Sequence, residues 1–123
     1  MKHHLIVCTT CRDKTESRAQ RGGPAGARLF ASLTSRLDAW SRRRGIEIVG
    51  VECLGACTRP CVVALRADGK HTYLLGDLGP MRSELALVEC TALFADSPTG
   101  NLPRESRPPA LRGSVIGRIP PVE

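Results

Sequence analysis

Apolar residues recur along the chain first at strand spacing and then at helix spacing, and the switches divide it into elements. Leu5-Ile6-Val7 is short, continuously apolar and followed by Cys8-Thr9-Thr10-Cys11, which predicts a buried strand ending in a loop. Residues 12–23 are polar, charged and aperiodic, the pattern of a long loop with at most one helical turn. From Pro24, where proline suits the first helical position, Leu29, Leu33, Leu37 and Trp40 fall on one helix face, and Phe30 widens the stripe. Arg42, Arg43 and Arg44 would occupy the last turn, where cations suit the helix dipole, and Gly45 would stop it.

Residues 46–51 alternate and predict a second strand; 62–65 and 72–75 predict a third and a fourth, joined through the hairpin signal Asp68-Gly69. Ser83 is placed to cap a second helix running to Ala95, with Leu85, Val88 and Ala92, and Leu87 and Phe94 beside them, facing inward. A strand–helix–strand unit implies a right-handed parallel crossover, and the hairpin adds antiparallel strands. The expected fold is α/β, a four-stranded mixed sheet flanked by two main helices. From Asp96 the composition shifts to Pro, Gly, Ser and Arg. The expected organisation is therefore a domain over 1–97 and a C-terminal extension over 98–123 that packs on the domain or on a partner. That extension carries one helical turn around residues 109–112 and an apolar patch at Val115, Ile116 and Ile119.

A chain of 123 residues, 41% apolar and 24% charged, has the composition of one soluble domain with a modest core. Its aromatic residues, Phe30, Trp40, Tyr73 and Phe94, are too few for a base-stacking surface, which argues against nucleic acid. No apolar run approaches the roughly 18 residues needed to span a bilayer. The start of the chain lacks a cleavage site and predicts a cytoplasmic protein with no membrane contact. The net charge of +6 is spread over residues 12–44 and 104–118. It reads as a solvated basic face or as a docking surface for an acidic partner.

Six cysteines without an export signal read as metal or redox cysteines rather than a disulfide framework. Cys8-x2-Cys11 and Cys53-x3-Cys57 each follow one of the two parallel strands, so both pairs should emerge at the carboxyl edge of the sheet, where open sheets build sites. Four thiolates there suit a tetrahedral zinc or an iron–sulfur cluster. Cys61 is a fifth sulfur: an alternative ligand in place of Cys11, a neighbouring redox thiol, or a core residue opening the third strand. Thiol–disulfide exchange fits less well, because its Cys-x2-Cys opens a helix, and here the helix begins a dozen residues later. Gly55 lets the backbone approach the sulfurs, and Arg12 and Arg59 stand close enough in sequence to offset negative charge. Cys90 reads as core, His3, His4 and His71 as surface, and Asp77 as a turn residue, although imidazole can replace thiolate on iron. The sequence contains no catalytic triad, no phosphate-binding glycine loop and no carboxylate pair with catalytic spacing, so a carrier or binding protein is expected rather than an enzyme.

Cys53-Leu-Gly-Ala-Cys57, then Pro60, a run of valines, a turn at Gly69 and Tyr73, is similar to the second half of the thioredoxin-like [2Fe-2S] ferredoxins. Those proteins share a fold with a small flavoprotein-associated subunit of respiratory complex I. Cys8-Thr-Thr-Cys11-Arg12, Cys57-Thr-Arg-Pro-Cys61-x-Val-Ala-Leu and Gly69-Lys-x-Thr-Tyr-x-x-Gly-Asp-Leu78 resemble a bacterial family of metal-binding or ferredoxin-domain proteins. Arg107-Pro-x-Ala-Leu-Arg112 and Ile119-Pro-Pro121 carry that resemblance through the tail. It implies a thioredoxin-like fold and one [2Fe-2S] cluster, with zinc as the alternative metal. Cys8, Cys11, Cys53 and Cys57 would be the ligands, with Cys61 as the alternative. The function implied is one-electron transfer to a redox partner protein, in a chain that can pair as a homodimer. Some members are encoded near cobalamin-synthesis genes, which points to that metabolism. The chain departs from the ferredoxins in the shorter gap between its first two cysteines and in having Pro60-Cys61 where they place Gly-Pro.

Overall fold

Leu5 and Val7 are the most apolar part of the chain's start, and the structure removes both from water at the centre of a sheet. The structure is a computed structural model that describes residues 2–12, 21–40, 45–56, 58–80 and 83–121. The elements follow in the order β1 (His3–Cys8), α1 (Ala25–Asp38), β2 (Ile46–Val51), β3 (Val63–Ala67), β4 (Thr72–Leu75), α2 (Glu84–Asp96) and β5 (Val115–Ile119). Two short 3-10 turns, Arg104–Ser106 and Pro109–Leu111, lie between α2 and β5. The strands stand in the order β2-β1-β3-β4-β5. β1 and β2 run parallel, as the crossover through α1 requires, and every other pairing is antiparallel.

Register explains which face is the core. Leu5 stands opposite Leu65, which stands opposite Tyr73; Val7, Val63 and Leu75 form the next row. All six are buried. Against this face lie the Leu29, Leu33 and Leu37 stripe of α1 and the Leu87, Cys90, Thr91 and Phe94 stripe of α2. Arg36 Nε donates to Glu84 Oε2 at 2.8 Å and ties the two helices together. The opposite face carries Ile6, Val49 and Leu74 half-buried, among His4, Glu47 and Arg66. Neither α-helix covers it.

Three sequence expectations are corrected. The sheet has five strands rather than four, because Val115–Ile119 in the tail pairs with β4. That strand is interrupted by Gly117 and Arg118 and joined through a register shift at Leu74/Leu75, and its partner lies some forty residues away, so no local pattern announces it. Leu85 points outward, 69% exposed, because the inward stripe of α2 is set by Leu87, Cys90 and Phe94. Helix α1 ends at Asp38, before Trp40 and Gly45, with Arg36 as the basic residue of its last turn. Arg42, Arg43 and Arg44 lie outside the described residues, as does most of the loop expected over 12–23.

The tail is bound closely to the body. Leu102 and Leu111 are buried in the core, and Tyr73 Oη accepts from the Leu102 amide at 2.8 Å while donating to Asn101 Oδ1 at 3.2 Å. Just ahead of this, the C-terminus of α2 is closed by Lys70. Its Nζ donates to the carbonyls of Phe94 and Ala95 at 3.1 and 3.0 Å and lies 5.4 Å from the Phe94 ring centroid. A cation on the last carbonyls complements the helix dipole. The third Nζ proton points to His3 Nε2, 2.9 Å away, which requires a neutral imidazole protonated on Nδ1. Burial first, and then the Lys70 charge, hold His3 below its ordinary value of 6.5.

A base with a depressed folded pKa takes its proton in the unfolded chain first. The stability due to neutral His3 is therefore complete above 6.5 and is lost as pH falls through the folded value. The urea midpoint should fall between about pH 7.5 and about pH 5.5 more steeply in the parent protein than in His3→Gln. Equal slopes would show that His3 does not contribute.

Candidate metal centre

Because Cys8 pairs with Val51, the two parallel strands end level and the two cysteine loops start side by side. Hydrogen bonds join these loops, among them one from the Cys8 thiol to Glu52 O at 3.5 Å. The Thr9 amide and hydroxyl donate to Val51 O at 2.8 and 3.1 Å, and the Thr10 hydroxyl donates to Glu52 O. On the other flank the Cys8 amide donates to Val62 O at 3.0 Å, tying the same turn to the approach of β3.

The first turn of α1 closes the back of the Cys8–Cys11 turn. Gly26 N–H donates to Cys11 O at 2.8 Å, and a Cβ at Gly26 would lie 2.0 Å from Cys8 O. Only glycine allows this approach. The sequence reading passed over Gly26 and Thr10; the one hint is the run of small residues in Pro24-Ala-Gly-Ala, at a helix start where larger side chains are commonplace.

Within the turn the Sγ atoms of Cys8 and Cys11 are 2.9 Å apart and both residues are buried. Cys11 donates its thiol proton to Cys8. Burial, this hydrogen bond and the Cys8 charge push the Cys11 thiol up to about 12, with the Cys61 charge adding to the effect. Burial also opposes ionisation of Cys8. Hydrogen bonds from the Cys11 thiol and from the Thr10 and Cys11 amides outweigh it and leave Cys8 below its ordinary value. Of the two thiols, Cys8 is therefore the one whose ionisation its neighbours assist.

The other sulfurs are placed unequally. Cys53 is exposed, and its Sγ accepts the Gly55 amide at 3.2 Å, with Gly55 at φ +79° making the turn. Cys57 lies outside the described residues. Cys61 is buried just ahead of β3, exchanging backbone hydrogen bonds with Leu78 at 2.7 and 3.2 Å, and stands close enough to Cys11 to act on its proton. Among the described residues, no group of three His, Cys, Asp or Glu side chains is arranged to hold a metal ion. The structure thus brings Cys8 and Cys11 together, with Cys61 buried just ahead of β3 and Cys53 exposed on the neighbouring loop.

The remaining candidates separate cleanly. His3 and His4 sit at the far end of β1, roughly 13 to 16 Å from Cys8 at a strand's rise per residue, and so cannot serve as ligands there. His71 is half-buried, its Nδ1 3.1 Å from Thr99 O. Arg59 is engaged by a carboxylate: its Nε donates to Asp77 Oδ2 at 2.9 Å, across a turn in which Asp77 takes φ +60°. Arg12 is exposed. Cys90 is in the core of α2, where burial pushes its thiol up to about 11.

Two parallel strands ending in cysteine loops, a hairpin and two helices on one face define a thioredoxin-like α/β architecture. It is shared with the thioredoxin-like [2Fe-2S] ferredoxin from Aquifex aeolicus, at TM-score 0.62 and 18% identity over 99% of this chain and 97% of that one. A cysteine-to-serine variant of the same ferredoxin aligns at TM-score 0.60 and 18% identity, over 94% and 98% of the two chains. At that identity the likeness is one of fold. By sequence, the chain belongs to the family described as "Protein of unknown function (DUF1636)", which matches residues 5–121. A comparison with curated proteins finds no match. No helix among the described residues is long and apolar enough to cross a membrane.

Gly26→Ala tests the closure of the cysteine turn. Alanine would gain about 1 kcal/mol of helix propensity, yet overpacking against Cys8 O costs about 1–3 kcal/mol. We expect a lower urea midpoint at unchanged slope, together with faster labelling of Cys8 and Cys11 by a thiol reagent. A stabilised variant with unchanged labelling would refute the close approach.

Proposed function

We propose that this protein binds one [2Fe-2S] cluster through Cys8, Cys11, Cys53 and Cys57 and carries single electrons to a partner enzyme. The observation that supports this reading is the pair of cysteine loops held side by side, with the Cys8 and Cys11 sulfurs 2.9 Å apart. Their donor chemistry fits the group: soft thiol ligands, one of them shifted toward the thiolate that a metal requires. The likeness in fold to a thioredoxin-like [2Fe-2S] ferredoxin adds weight. When bound, such a cluster supplies a one-electron couple whose potential responds to nearby hydrogen bonds and charge.

The chain's own residues then have definable tasks. Gly55 N–H, 3.2 Å from Cys53 Sγ, donates to a sulfur and stabilises its negative charge. The Thr10 hydroxyl anchors one loop to the other through Glu52 O. Asp77 neutralises Arg59, so the nearby arginine brings less positive charge to the centre than its sequence position suggests. Cys61 competes for a ligand role, because it is a fifth sulfur buried next to Val62, whose carbonyl accepts from the Cys8 amide.

Anaerobic purification or reconstitution should yield a coloured protein with iron and sulfide in equal amounts and a paramagnetic signal on one-electron reduction. A colourless protein with stoichiometric zinc would overturn the cluster and leave a zinc-stabilised module. Within the cluster reading, Cys57→Ser should abolish assembly and Cys61→Ser should preserve it. Loss on Cys61→Ser, with Cys11→Ser harmless, would exchange those two sulfurs as ligands.

A further inference from the structure

The 3-10 turns and β5 build a second recess that no cysteine lines. It measures about 280 Å³ and is walled by Tyr73, Asn101, Arg104, Arg107 and Arg118. Three arginines around one small cavity should repel one another unless something neutralises them. Among the described residues no carboxylate pairs with any of the three. Their only side-chain hydrogen bonds go to neutral acceptors: Arg118 Nη1 donates to Asn101 Oδ1 at 2.7 Å, and Arg104 Nη1 to Arg112 O at 3.2 Å.

Arg107 is the telling residue. It is half-buried, and its Nε is shut off from solvent with no acceptor in reach. A guanidinium N–H stripped of water and given no partner is costly, and an anion in the recess that Arg107 lines would offset that cost through the rest of the guanidinium. Arg112 Nε is buried in the same way, but the adjoining recess that Arg112 shares with Arg104 also includes Glu105, which disfavours an anion.

The neutral contacts also make the recess rigid. Asn101 Oδ1 accepts from both Tyr73 Oη and Arg118, so the phenol in the core fixes the amide and the amide fixes the guanidinium. This is a preorganised fork of donors, each with N–H groups to spare. Arginine forks match planar and tetrahedral oxyanions, phosphate above all. The volume admits a phosphate group with a small substituent, not a folded partner.

We propose that Arg104, Arg107 and Arg118, with Asn101 as the positioning residue for Arg118, form a binding site for a phosphate group, carried as inorganic phosphate or as a small phosphate monoester. The site is independent of the cluster reading and stands if the cysteines prove to bind zinc.

The test is a titration of the full chain with inorganic phosphate and, separately, with glycerol phosphate, against sodium chloride at matched ionic strength. Calorimetry should show saturable binding of at least one phosphate form, with a rise in melting temperature that chloride does not reproduce. The Arg107 Nε–H resonance should shift with the same saturation curve. Arg118→Gln, at an exposed position, should keep the ligand-free melting temperature and weaken binding by about tenfold or more; Arg107→Lys should weaken it while keeping the charge. Binding with equal affinity in both variants would overturn the proposal. So would a stabilisation matched by chloride, or binding of a glutamate-rich peptide with no effect of either phosphate form.

Discussion

The cysteine turn after β1 is gripped from three sides, and the tightest grip is the contact with no side chain in it. Gly26 brings the helix backbone against Cys8 O and accepts no Cβ between them. Everything at the sheet's carboxyl edge inherits its position from this. The Thr9 and Thr10 bonds to the β2 loop and the Cys8 amide bond to Val62 O are short-range stitches that hold only while the turn stays where the helix presses it. The helix in turn is fixed by its leucine stripe and by the Arg36–Glu84 pair. Core packing, rather than the thiols themselves, is therefore what sets the spacing of Cys8 and Cys11.

Much of this was legible in the residues. The apolar triplet of β1, the four-residue leucine spacing of α1, and the Asp68-Gly69 turn each carry a local periodicity or a conformational requirement that admits one reading. Parallel pairing of β1 and β2 followed, and with it the juxtaposition of two cysteine loops. What escaped notice depends on partners distant in sequence. The fifth strand exists because β4 offers an unpaired edge to Val115–Ile119, and no local rule selects that segment. The rotation of α2 is decided by which of two overlapping apolar sets meets the sheet, so Leu85 and Leu87 could not be ranked by hydrophobicity alone. Three arginines before a glycine imitate a helix terminus, yet α1 ends at Asp38.

For the site, residue type and spacing identified the sulfurs but not their inequality. Cys8 and Cys11 are hydrogen-bonded in a buried turn, Cys53 meets solvent, and Cys61 is buried beside β3. Burial and hydrogen bonding create these differences, and neither is visible in a Cys-x-x-Cys pattern. The same holds for charge. Arg59, within the cysteine motif, is neutralised by Asp77, whereas the tail arginines, remote in sequence from the cysteines, gather around one recess with no carboxylate paired to them among the described residues.

The fifth strand has a bearing on how the protein behaves in a crowded solution. A sheet that stopped at β4 would offer Thr-Tyr-Leu-Leu as an open ladder of amides and carbonyls, the surface on which stray chains polymerise. The tail takes that position and puts a poorer template at the rim: Gly117 weakens it, Arg118 repels its own kind, and Pro120-Pro121 ends it without donors. β5 thus covers the β4 edge and leaves at the rim a strand less suited to further pairing. Expression fragments trimmed to the tidy domain before residue 98 would lose that cover along with the strand.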